Sequence, residues 1–143
     1  MWGIIFSIIS GFAMSVQGVF NTQLSKKIGL WETTLLIQGI AFVTAFIVML
    51  VLGDGNIKNL KYANKLYLFA GILGVIITFT VIKGMSLLGP ALSVAIILIS
   101  QLITAAFISH FGWFGSPITL AGIRQCVGVI IMIVGIAIFK WKG

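Results

Sequence analysis

Along the chain, long apolar runs alternate with short stretches that hold all the charge. The uncharged runs cover residues 1–25, 33–53, 66–82, 84–123 and 125–139. A helix needs about 20 predominantly apolar residues to cross a bilayer. The run 84–123 is too long for one crossing. It holds the sequence GWFGSP, residues 112–117, where a glycine stop is followed by Ser116 as a cap and Pro117 at a first helical position. A second break of the same kind lies at Gly89-Pro90. The pattern therefore predicts five helices, over 3–25, 31–52, 65–88, 90–111 and 117–139, in one transmembrane domain spanning 1–143. A four-helix count is the alternative, with the first or third segment lying in the interface. No segment shows the ten-residue alternation of a membrane β-barrel. The predicted fold class is all-α, integral to the membrane. The N-terminal run resembles a signal peptide, but it lacks a basic start and is too long for a signal core, so it reads as a retained helix.

Composition removes other classes. Of 143 residues, 60% are hydrophobic and 8% charged; a soluble domain is about 25% charged. The net charge of +7 comes from a near absence of acids, two against nine Lys and Arg. It is not a dense basic patch, so nucleic acid is not an expected partner. The single cysteine, Cys126, excludes an intrachain disulfide and a cysteine metal site. In its apolar stretch it reads as a small buried hydrophobe. No nucleophile, histidine and acid come together at catalytic spacing, and no phosphate-binding glycine loop is present. Neither an enzyme nor a metal or other cofactor is expected.

Charge placement bears on orientation. With five spans, the side holding the N-terminus collects Lys58, Lys61, Lys65 and Arg124. The other side collects Lys26, Lys27, Lys83, Lys140 and Lys142. Positive residues normally keep their side cytoplasmic, but four against five is almost no bias. Two readings stand: a weakly determined single orientation, or a dual topology in which the chain pairs with an inverted copy of itself. An odd span count makes the second natural, and inverted five-helix units are a transporter architecture.

Polar side chains inside the spans are few and costly without partners. Gln17 and Asn21 share a face of the first helix, Thr34 and Gln38 a face of the second. The fourth carries Ser93, Ser100, Gln101 and Thr104. They either tie helices together or line a solute path; Gln17, Asn21, Gln38, Ser100, Gln101 and Thr104 are the expected solute contacts. Trp2, Trp31, Phe42 and Phe107 are candidate aromatic walls, with interfacial belts as the alternative for tryptophan. Ser7, Gly11 and Ser15 in the first helix, and Gly128 and Gly135 in the fifth, are small stripes suited to close helix packing, within the chain or between chains.

Four groups are candidates for a charge or proton role. Lys83 lies about 7 Å from the end of the third predicted helix and Arg124 about 10 Å into the fifth. Each either snorkels to the interface or faces a cavity. Both acids sit at span edges, Asp54 in the loop after the second span and Glu32 at its opening; Glu32 is the candidate, and it is placed to favour a helix N-terminus. His110 ends the fourth helix and, as an imidazole, is a residue type that serves as a proton carrier. No acid lies mid-membrane, so a cation lacks a carboxylate partner, and a small neutral or zwitterionic metabolite is the expected cargo.

The segments MSVQGVFNTQLSKKIG (14–29), LGPALSVAIIL (88–98) and LISQLITAAFISHFGWFG (98–115) resemble the YdcZ-like family of small five-helix inner-membrane exporters, in the drug/metabolite transporter superfamily. The resemblance spans nearly the whole chain. It implies a half-unit of the superfamily's inverted repeat, working as an antiparallel homodimer or with an oppositely inserted paralogue, in a bacterial inner membrane. It also sets Gln17, Asn21 and Gln101 nearest a central cavity. Ser109 stands where many relatives have an acid before His-Phe-Gly, which puts proton coupling in doubt here. The first-helix glutamate of the small multidrug resistance branch is missing too. The contrasting expectation is a membrane scaffold that stabilises a partner protein and transports nothing.

Overall fold

A computed structural model describes residues 2–119 and 122–141. The chain forms α1 (Trp2–Ile28), α2 (Leu30–Leu52), 3-10 turns at Ile57–Tyr62 and Lys65–Phe69, α3 (Ala70–Leu88), α4 (Pro90–Phe111), a 3-10 turn at Trp113–Gly115, and α5 (Ile123–Trp141). Among the described residues there is no strand, and five helical segments are long and apolar enough to cross a membrane. The protein is an all-α, multi-pass membrane protein. At 27 residues, α1 is about 40 Å long against a hydrocarbon core of about 30 Å. Its surplus length carries Lys26 and Lys27 at the C-terminal end, where cations suit the carbonyls.

Local chemistry sets most helix ends. Gly89 holds φ +79° ahead of Pro90, which occupies the start of α4 and needs no N–H partner there. At the other end Gly112 is left-handed and its N–H closes α4 on the Ile108 carbonyl. Asn56 and Asn64 cap the two 3-10 turns after α2 through their side chains, on the N–H groups of Lys58 and Leu66.

Helix five starts later than its pattern predicts. Ser116 is extended, with ψ 140°, as the residue before a proline prefers. The Thr119 N–H donates to the Ser109 carbonyl at 3.0 Å. That bond draws the segment back onto α4, so residues 116–119 are not helical. Residues 120 and 121 of the predicted helix lie outside the described residues. The helix opens at Ile123, where the Gln125 side-chain oxygen accepts from the Gly122 N–H.

The chain divides into two compact units, Met1–Leu87 and Leu88–Gly143. In the first, α1 and α2 form a hairpin about Gly29, and α3 packs on both. Gly18 of α1 leaves room for the Met85 and Val81 side chains of α3; a Cβ there would meet the Met85 sulfur at 2.8 Å. Trp31 of α2 stacks on Phe79 of α3 with ring centres 4.7 Å apart. In the second unit α4 and α5 form a hairpin. Phe107, Phe111 and Trp113 stack in sequence along it, at 6.4 and 5.4 Å.

Candidate functional site

The buried polar groups of the first unit gather at its hairpin turn. Asn21, Thr22, Thr33 and Thr34 are all buried, while among the described residues the only large buried apolar side chains are Ile82 and Met85. The threonines satisfy themselves. Thr22 donates to the Gly18 carbonyl at 2.7 Å, Thr33 to Gly29 at 2.7 Å and Thr34 to Leu30 at 2.9 Å. Asn21 differs. It is 4% exposed, and among the described residues its amide makes no hydrogen bond. Yet among the described residues no fully buried polar side-chain atom is left unpartnered, so this amide keeps an opening. An amide has two donors and an acceptor to satisfy, and here they remain for something outside the chain's own hydrogen bonds.

Gln17, one turn before Asn21, is exposed in mid-helix. Gln38 is half-buried between α2 and α3. Its amide donates to the Thr78 hydroxyl at 3.3 Å and lies over Gly74. In the second unit Ser93 is buried, whereas Ser100, Gln101 and Thr104 are exposed at the middle of α4. Exposure here means facing lipid, water or another chain, because each helix is a span.

The charged candidates sit near span ends or at the surface. The Glu32 carboxylate folds back over Gly29, where any Cβ would collide with it, so it lies against the N-terminus of α2. Lys83 is exposed on α3. Arg124, expected about 10 Å into helix five, is in the first turn of α5 and exposed, because that helix starts at Ile123. His110 is in the last turn of α4 with its ring edge-on to Phe111, centres 5.0 Å apart. Among the described residues, no cluster of His, Cys, Asp or Glu is placed to hold a metal ion.

The small stripes face open space. Nothing lies within 4 Å of a Cβ built on Gly11, Gly128 or Gly135. Ser7 and Ser15 turn their hydroxyls onto the Gly3 and Gly11 carbonyls of their own helix. The glycine that does seat another helix is Gly18, which the spacing argument passed over. Cys126 is exposed, not buried as its apolar setting suggested. It lines a groove of about 460 Å³ between α4 and α5, with Ile103, Phe107, His110, Gln125 and Ile130 among its walls. Gln125 and Cys126 carried no sequence signal beyond being polar or soft residues in an apolar run.

Residues 2–138 match the model of a family described as "Putative inner membrane exporter, YdcZ". The chain belongs to the YdcZ family. The match takes in both hairpins, the Asn21 region and the α4–α5 groove alike. No curated relative and no solved structure matches the chain. YdcZ membership and five membrane-crossing helices together support a membrane transporter rather than an enzyme.

Proposed function

We propose that the protein exports a small neutral or zwitterionic metabolite as a pair of chains inserted head to tail, by alternating access. Each chain then supplies one half of an inverted repeat, and rocking of one copy against the other about a midplane site moves the solute. The partner is a second copy or an oppositely inserted paralogue. Gln17, Asn21, Gln101, Ser100 and Thr104 supply hydrogen bonds to the cargo. Gln38 contributes chiefly by holding α2 on α3.

The observation that supports this most is the exposure of Gln17 and Gln101 in the middle of their spans. An amide facing hydrocarbon without a partner costs several kcal/mol, on the order of 2–7. Such residues persist where they meet another chain or a watery path. The nearly balanced charge of the two sides suits insertion in both directions, and the family's description suits the inner membrane of a bacterial cell. The absence of mid-membrane acids from the sequence favours an uncharged cargo over a cation.

The test is cysteine accessibility. Gln17→Cys and Gln101→Cys, each in a Cys126→Ser background, are reconstituted in vesicles and treated with a water-soluble maleimide. A transport path gives labelling that changes when a transported metabolite is added. Protection of both positions under all conditions would replace the transporter with the scaffold reading, in which these amides only join chains.

A further inference from the structure

We infer that the groove between α4 and α5 is a binding site for one anionic phospholipid. Its walls divide into an apolar stretch and a polar end. Ile103, Phe107 and Ile130 line the apolar part. From Ile103 to His110 the groove follows α4 for about 10 Å, enough for the upper part of an acyl chain. The polar end is His110, Gln125 and Cys126. Gln125 also borders a second hollow, of about 530 Å³, whose wall includes Arg124. A basic side chain therefore flanks the polar end.

Three features favour a lipid over the other occupants. The groove opens outward from the hairpin: Phe107, Phe111 and Ile130 are 57%, 55% and 59% exposed. The outer surface of a membrane-crossing hairpin meets lipid first. Its polar end also lies at a span edge, in the last turn of α4 and the first of α5, the depth of the headgroups. Finally, residues 88–143 hold no acid at all. An anionic headgroup thus meets Arg124 with no carboxylate competing for it. The Gln125 side-chain oxygen is occupied by the Gly122 N–H, which leaves the amide N–H pair for a phosphate or ester oxygen. A zwitterionic headgroup offers a phosphate too, but its own ammonium offsets that charge and weakens the attraction to the arginine.

Cys126 is the only cysteine and a native reporter of occupancy. The full chain, delipidated in detergent, is titrated with phosphatidylglycerol or phosphatidylcholine while the thiol reacts with N-ethylmaleimide. Native mass spectrometry counts retained lipid in the same samples. Phosphatidylglycerol is expected to slow labelling and to be retained about fivefold more tightly than phosphatidylcholine, the effect of one basic side chain near a headgroup. Arg124→Gln is expected to erase that preference while keeping weak protection by both lipids. Ile130→Trp, a change at an exposed position, is expected to fill the groove and lower retention of both. Equal protection by the two lipids in the wild-type chain would overturn the assignment. So would protection that follows protein concentration and ignores lipid, because a second chain would then cover the groove.

Discussion

Gln38 and Asn21 are both amides in apolar helices, and their surroundings give them opposite consequences. Gln38 spends its donor on Thr78, whose own hydroxyl stays bonded to the Gly74 carbonyl at 3.0 Å. Removing Gln38 therefore strands little. Gln38→Leu is expected to cost about 0.6 kcal/mol, the usual size of such a bond between membrane helices. A double-mutant cycle with Thr78→Val, read by unfolding in mixed micelles, should return a coupling of that order. Asn21 makes no hydrogen bond to lose among the described residues. Asn21→Leu keeps the heavy-atom count and branching of the side chain and is expected to leave unfolding unchanged or to shift it toward greater stability. Export should fall all the same. A large loss of stability on this substitution would mean that the amide serves packing, and the solute contact assigned to it would go. Gly18 is a third case. Met85 presents the flexible end of its side chain there, so Gly18→Ala is absorbed by a rotamer change. Gly18→Leu should cost about 1–3 kcal/mol by prising α1 from α3.

At the scale of helices, the breaks that were legible in the sequence are those made by local backbone chemistry. Gly89-Pro90 ends one helix and begins the next through its own dihedral angles, and no tertiary contact is needed. A Cβ on Gly89 would meet nothing within 4 Å, so Gly89→Ala isolates the cost of holding φ +79°. That cost is expected to be about 1–3 kcal/mol, because ψ 161° beside this φ is a region essentially reserved for glycine, measured as a shift in unfolding free energy with no change in helix content. The start of α5 was not legible for the opposite reason. Ser116-Pro117 has the composition of a helix opening, but the Thr119 to Ser109 bond joins the segment to a different helix. No local rule contains that bond. The site divides the same way. Which polar residues lie in the spans could be counted directly. That Thr22 and Thr33 are buried, that Gly18 and not Gly11 seats a neighbour, and that Cys126 opens on a groove all depend on which face a second helix covers.

For the whole molecule, the head-to-tail reading depends on a charge balance that substitution can tip. Lys58, Lys61 and Lys65 lie in the long connection between α2 and α3, exposed and away from the buried groups of the first unit. Changing all three to Gln leaves Arg124 alone on its side against five lysines on the other. Positive residues stay cytoplasmic, so this variant should insert one way only, with the C-terminus inside. Lys26→Gln, Lys27→Gln and Lys140→Gln together tip the balance the other way and should place the C-terminus outside. Fusions at the C-terminus of a reporter active only inside, and of one active only outside, read both outcomes; the unaltered chain should light both. The decisive measurement is export. Each variant alone lacks an inverted partner and should be inactive, yet the two expressed together should recover transport, since neither change touches Gln17, Asn21 or Gln101. Recovery on co-expression separates a missing partner from a damaged fold, because two misfolded chains do not repair each other. If either variant alone exports as well as the unaltered chain, the functional pair is not two inverted copies of this chain, and any inverted symmetry must come from a different protein.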